Sequence, residues 1–191
     1  VKAITTGWSS TVVLKEDGTV WAWGIARGLG NGTTTDSSIP VQVSNLTGVK
    51  SIATYATCTY ALKEDGTVWA WGLNTSGQLG NGTNIGSRTP VQVSGGGVYA
   101  AVIGGDYHNI AVRTDGSLWA WGDNPYGLGD GSNVSSNVPV PVGLGFSRVM
   151  TGDAHTLTLK TDGSLWAWGL NTSGQVGNNT TTSPVAVPHK A

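Results

Sequence analysis

Two short strings in the chain invite a chemical reading. Asp106-Tyr107-His108 and Asp153-Ala154-His155 each set a carboxylate two residues before an imidazole. Such a pair can ligate zinc, or a carboxylate can orient an imidazole as a general base. A zinc site needs three or four donors converging from separate segments, and this spacing supplies them two at a time. Cys58, the single cysteine, occupies the matching place in its own segment and has no base beside it. It reads as a small buried side chain. No GxSxG, phosphate-binding loop, HExxH or paired-cysteine motif occurs. Carboxylates are sparse and sit mostly in Asp-Gly pairs, so an acid/base pair of the glycosidase kind has no candidate. The expectation is a protein that is not an enzyme and holds neither metal nor cofactor.

The same column of residues supports a binding role instead. It reads TGWSST (6–11), TYATCT (54–59), GGDYHN (104–109) and TGDAHT (151–156). The four strings diverge where their flanks agree. Trp8, Tyr55, Asp106, Tyr107, His108, Asp153 and His155 are therefore the candidate partner-binding residues, since exposed aromatics beside polar groups make good interface anchors. A structural reading competes with this one. Ser10, Cys58, His108 and His155 share one position and would pack against a sheet, hydrogen-bonded to backbone.

These strings recur because the whole chain repeats. EDGTVWAWG occupies 16–24 and returns at 64–72, and TDGSLWAWG follows at 114–122 and 161–169. The tryptophan pairs Trp21/Trp23, Trp69/Trp71, Trp119/Trp121 and Trp166/Trp168 are spaced by 48, 50 and 47 residues. A period of that length marks a solenoid, propeller or array. The repeats divide as 1–48, 49–98, 99–145 and 146–191 of a single propeller-type unit. Each carries four short phrases with alternating apolar residues, the period of a strand; repeat two has VKSIAT, TYALKED, TVWAWG and TPVQVS. Asp-Gly between the second and third phrases predicts a tight hairpin, because both turn positions must tolerate positive φ. The glycine-rich loops NTSGQLGNG (74–82) and NTSGQVGNN (171–179) permit crowded packing on a neighbour. All eight paired indoles are expected in the core, sheltered by stacked repeats that no lone sheet could replace.

The pattern G..H...L..DG.VW.WG.N..GQLG resembles the repeat of the regulator-of-chromosome-condensation family, and all four repeats follow it. KEDGTVWAWG is closest in style to bacterial members. The resemblance implies an all-β propeller of four-stranded antiparallel blades, with about seven blades usual for the family. Four repeats would leave two blade faces uncovered. The expectation is accordingly part of a larger propeller or a self-associating assembly; a closed four-bladed ring is the third arrangement. Guanine-nucleotide exchange on a small GTPase, the founder's activity, has the least support, because no basic tail or exchange-active insertion is identifiable.

Composition narrows the partners. Charged residues make up 11% of the chain and the net charge is -1, with Lys and Arg scattered singly. No basic stripe suits nucleic acid or an anionic membrane, and no run approaches a membrane span. Low charge and Asn-x-Ser/Thr sequons at Asn31, Asn45, Asn74, Asn81, Asn133, Asn171, Asn178 and Asn179 suit an extracellular or cell-surface protein carrying glycans, although loop chemistry also explains these asparagines. A cytoplasmic location is the alternative. The favoured function is a binding scaffold facing a protein partner, and the alternative is a structural subunit of an extracellular assembly or filament.

Overall fold

The structure, a computed structural model, describes residues 1–105 and 108–191. The chain forms four four-stranded antiparallel sheets, each a meander of consecutive strands. The first holds β1 (Ala3–Thr6), β2 (Ser10–Leu14), β3 (Val20–Gly24) and β4 (Ser37–Gln42). The second holds β5 (Val49–Tyr55), β6 (Cys58–Lys63), β7 (Val68–Gly72) and β8 (Ser87–Gln92). The third holds β9 (Tyr99–Gly104), β10 (His108–Arg113), β11 (Ser117–Gly122) and β12 (Ser136–Leu144). The fourth holds β13 (Phe146–Thr151), β14 (His155–Lys160), β15 (Leu165–Gly169) and β16 (Val185–Lys190). Among the described residues the one helical element is a 3-10 turn, Ala26–Gly28, and no helix is long and apolar enough to cross a membrane. The expected blades of four antiparallel strands are thus present. Their innermost strands pack in sequence, β1 on β5, β5 on β9 and β9 on β13.

Local chemistry explains the meander. In each Asp-Gly turn the glycine has positive φ, as at Gly66 (80°), a conformation that costs glycine little. The aspartate Oδ1 accepts the backbone N–H and the hydroxyl of the residue two places on, at 2.9 and 2.6 Å for Asp65 and Thr67. The same hydroxyl takes the indole N–H of the next tryptophan, 3.1 Å from Trp69 to Thr67. Hairpin and strand are therefore tied by one side-chain relay.

Alternation then sorts the faces. Trp71 and Ala61 face the first sheet and pack with Val12, Leu14, Val20 and Ala22. Tyr60, Leu62, Val68 and Ala70 face the opposite way and pack with Ala111 and Trp121 of the third sheet. Ile110, Val112, Leu118 and Ala120 meet Trp168 of the fourth. Each fully buried aromatic contributes roughly 1.5–3 kcal/mol.

The expectation of eight core indoles needs correction. Trp71, Trp121 and Trp168 are fully buried, but Trp21, Trp69, Trp119 and Trp166 are half-buried. This second group lies beside the Asp-Gly turns, where Trp69 and Trp166 still pack against the core and a cation also lies over the ring. Lys15 sits 4.1 Å from the Trp21 centroid, Arg113 3.8 Å from Trp119 and Lys160 4.0 Å from Trp166. Trp23 is also half-buried, because its face of the first sheet has no neighbour.

Three seams join the sheets, and their parts repeat. The buried indoles enter glycine loops of the preceding sheet: a Cβ on Gly30, Gly80 or Gly129 would stand 2.8 Å from the indole nitrogen of Trp71, Trp121 or Trp168. Trp71 and Trp121 donate from Nε1 to the carbonyls of Gly28 and Gln78, both at 2.9 Å. Two backbone bonds flank each indole. The Asp-Gly turn carbonyl accepts an N–H from the next sheet's first strand: Val49 to Gly18 at 3.3 Å, Tyr99 to Gly66 at 2.8 Å and Phe146 to Gly116 at 3.2 Å. A second loop glycine donates to the next sheet's fourth strand: Gly32 to Arg88 at 2.9 Å, Gly82 to Asn137 at 2.8 Å and Gly131 to Ala186 at 3.1 Å.

Candidate functional site

The loops between each sheet's first and second strands gather at one end of the array. They are short because a single backbone bond closes each: Gly7 N–H to Ser10 O at 2.9 Å, Gly105 N–H to His108 O at 2.8 Å and Gly152 N–H to His155 O at 2.9 Å. In the second sheet the loop is tighter still, with Tyr55 paired to Cys58 and Ala56 in the left-handed region at φ 48°. The loops also hold one another. Trp8 N–H donates to Ala56 O at 2.9 Å, and Thr151 Oγ1 donates to Gly104 O at 3.0 Å. The Tyr55 hydroxyl reaches Asp153 Oδ1 at 2.9 Å, linking the second and fourth sheets.

The candidate residues are not equivalent in this frame. Trp8 is 74% exposed, with its backbone fixed and its indole in water. With Arg27, Tyr55, Cys58, Leu73 and Gln78 it lines a cleft of about 290 Å³. Tyr55 and Asp153 sit together through their shared hydrogen bond. Asp106 and Tyr107 lie outside the described residues.

His108 differs from its expected role as a surface anchor. It is 5% exposed, and its Nε2 lies 2.7 Å from Thr156 Oγ1 across the third seam. Burial, with the charge of His155 second, pushes its pKa down to about 4, so it is neutral near pH 7. His155 is half-buried on the outer face of the fourth sheet. The difference follows from strand parity. His108 shares a face with Ile110 and Val112, which the fourth sheet covers, whereas His155 shares its face with Leu157 and Leu159, which no sheet covers. Cys58 follows the covered pattern: it is buried, its thiol donates to Leu73 O at 3.0 Å, and burial pushes its pKa up to about 11.

Among the described residues no group of three or more His, Cys, Asp or Glu side chains converges. Of the Asp-x-His residues described, Asp153 is engaged by Tyr55, and His108 by a threonine. The sequon asparagines divide as well. Asn74 and Asn171 are fully buried, and each amide organises its own loop by donating to Thr83 and Ile85, or to Thr180 and Thr182. Their side chains are structural and closed to modification.

The cleft owes part of its lining to Gln78, which motif reading passed over. Its carbonyl receives Trp121 Nε1, Tyr60 Oη and Asn109 Nδ2 at 2.9–3.0 Å, fixing the wall. The signal for it was the GQLG string at 77–80, whose glutamine returns only in GQVG at 174–177.

Two family models for the regulator of chromosome condensation (RCC1) repeat match the chain. One covers residues 17–62, 65–112, 115–159 and 162–191; the other covers 1–26, 49–78, 100–128 and 148–175. Human WBSCR16 superposes with a TM-score of 0.85 at 25% identity, over 99% of this chain and 52% of that one. Yeast RCC1 (Prp20), solved bound to Kap60, gives 0.82 at 22% identity, over 98% of this chain and 48% of that one. The receptor kinase CR4 ectodomain of Physcomitrella patens gives 0.55 at 18%, over 87% and 38%. The chain spans about half the length of the first two structures. No curated protein matches it.

Proposed function

The chain belongs to the regulator of chromosome condensation repeat family, and from that premise we propose that it is a non-catalytic scaffold that holds a protein partner on its first-loop face. Trp8 carries the reading. Its backbone is pinned to Ala56 while its side chain is 74% exposed at the rim of a cleft. A large aromatic that the fold positions yet leaves wet is the usual form of an interface anchor, because little ordering remains to oppose binding. Arg27 and Tyr55 beside it offer the polar rim that a protein surface would meet. Low charge and surface asparagines support an extracellular setting for this scaffold.

Nucleotide exchange on a small GTPase has weaker support. Prp20p of Saccharomyces cerevisiae, described with its binding properties to Gsp1p and histones, is 23% identical, a likeness that carries fold alone, and this chain covers 49% of it.

Peptides selected from a displayed random library against the immobilised chain test the proposal. They should lose at least about tenfold in affinity to Trp8→Ala, about 1.4 kcal/mol, while the circular dichroism of the protein stays unchanged. Selected peptides that bind the variant as tightly as the parent would remove the first-loop face from consideration.

A further inference from the structure

The seam between the first and second sheets departs from the other two at one place. In the later seams a loop glycine presses on the fourth strand of the following sheet. A Cβ on Gly77 would stand 2.5 Å from Asn137 Cα, and one on Gly127 would stand 3.0 Å from Ala186 Cα. Asn137 and Ala186 hold the position of Arg88, since all three carbonyls accept the loop N–H of their seam. In the first seam no loop glycine meets Arg88. The loop from Gly24 to Gly30 is two residues shorter than the one from Gly72 to Gly80, and a Cβ on its Gly28 would meet only Ser10. A pocket of about 220 Å³ stands there instead, lined by Arg27, Gly72, Leu73, Gly86, Ser87 and Arg88. Both walls of this seam belong to the chain.

The repeat does not account for the two arginines. Lys15, Lys63, Arg113 and Lys160 lie over the tryptophans beside the Asp-Gly turns, one in each sheet. Arg27 and Arg88 cap no ring, and the place of Arg88 is neutral in the third and fourth sheets. Arg88 reaches the Thr33 carbonyl at 3.4 Å. Among the described residues neither arginine meets a carboxylate. Asp36 accepts the Ala26 N–H at 2.9 Å and lines neither cleft. Two guanidinium groups at one pocket favour an anion there. The pocket shares Arg27 and Leu73 with the cleft of about 290 Å³ beside Trp8, where Ala56 and Tyr60 add apolar wall.

We propose that the adjoining pocket and cleft hold one extended segment of a protein partner, in which an acidic residue neighbours a bulky apolar one. The carboxylate lies between Arg27 and Arg88, and the apolar side chain fills the cleft against Trp8, Ala56 and Leu73. This inference rests on the first-loop face as the binding face and adds the chemistry of what it binds. Guanidinium groups hold carboxylates through paired hydrogen bonds, so a carboxylate side chain suits the pocket. A free small anion would leave the cleft unfilled and Trp8, 74% exposed, in water. A polyanion matches less well, because the net charge is -1 and the other cations are scattered.

Peptides selected from a displayed random library against the immobilised chain test it. Binders should be enriched in Asp or Glu beside Leu, Ile, Phe or Trp. Arg27→Gln and Arg88→Gln should each weaken a selected peptide at least about tenfold, with the circular dichroism of the protein unchanged. Converting the peptide's acidic residue to its amide should do the same. Arg88→Glu should bind a peptide carrying lysine at that residue better than the parent protein does, a swap that a merely structural arginine would not permit. Peptides that lose affinity to Trp8→Ala but to neither glutamine variant would overturn this inference and leave the first-loop face standing. Peptides indifferent to all three variants, or a library without binders, would overturn both. Binding that survives replacement of the peptide's apolar residue by alanine would reduce the pocket to a site for simple anions and overturn the inference as well.

Discussion

The Tyr55 hydroxyl donates to Asp153 Oδ1 at 2.9 Å, although 98 residues separate them and a whole sheet lies between their own. The loops of alternate sheets therefore touch, and the first-loop face is a connected surface. The bond is exposed, so its contribution to global stability is small, on the order of 0.5–1 kcal/mol. Tyr55→Phe should leave the thermal midpoint within a few degrees of the parent. Amide exchange in residues 151–155 should accelerate severalfold, as measured by hydrogen–deuterium exchange. Unchanged exchange there would show that the bond does not hold the loop.

The glycine slots predict an asymmetry between two chemically identical substitutions. Gly80→Ala and Gly177→Ala both place a side chain at positive φ, which costs about 1–2 kcal/mol. At Gly80 the new Cβ also stands 2.8 Å from Trp121 Nε1, whereas at Gly177 the nearest atom is 3.5 Å away. Gly80→Ala should therefore lower the urea midpoint clearly more than Gly177→Ala, and Trp121→Ala should cost about 3–5 kcal/mol. Equal midpoints for the two alanine variants would contradict the packing described.

Acid should weaken the protein in two separable windows. The pKa of His108 is depressed from 6.5 to about 4, so the folded state prefers the neutral ring. The stability it contributes is complete above pH 6.5, falls as the unfolded chain binds a proton, and levels off below about pH 4. The limiting slope is about 1.4 kcal/mol per pH unit. Asp17, Asp65, Asp115 and Asp162 are held below their usual 3.8, chiefly by the hydroxyl two residues on. Their contribution persists to lower pH and is lost as pH falls through those depressed values. Urea titrations between pH 7.5 and 4.5 should show the first loss in the parent and little of it in His108→Asn.

Cys58 offers a report on local opening. With its pKa pushed up to about 11, it holds almost no thiolate at pH 8. Reaction with an aromatic disulfide reagent should be at least about a hundredfold slower than for an unburied thiol, and should become fast in 8 M urea, a denaturing concentration roughly beyond the midpoint of small domains. A fast reaction in the native protein would place the thiol in solvent.

Much of the fold is readable from the strings themselves. Asp65-Gly66 marks the hairpin, although only Gly66 takes the positive φ that a two-residue turn would ask of both, and Val68-Trp69-Ala70-Trp71 alternates as a strand must. What stays hidden is which face finds a neighbour. Trp69 and Trp71 look alike in sequence and pack toward the same first-sheet core, yet Trp71 is sealed there while Trp69 stays half-buried under Lys63. His108 and His155 occupy one column, and only the presence or absence of a following sheet separates a neutral buried ring from a half-exposed one. Trp8 was legible as a divergent aromatic, but its exposure depends on the Ala56 carbonyl of the next loop, a contact no local pattern encodes. Asp106 and Tyr107 share that column and fall outside the described residues.

Each seam uses only atoms from the sheets that directly follow one another in the chain. A gene duplication that copied one full period would therefore insert a sheet whose two sides already fit those it displaces, with no compensating substitution required. Growth by whole repeats is the path of least resistance for such a polypeptide, and loss of half a repeat is the error it tolerates worst.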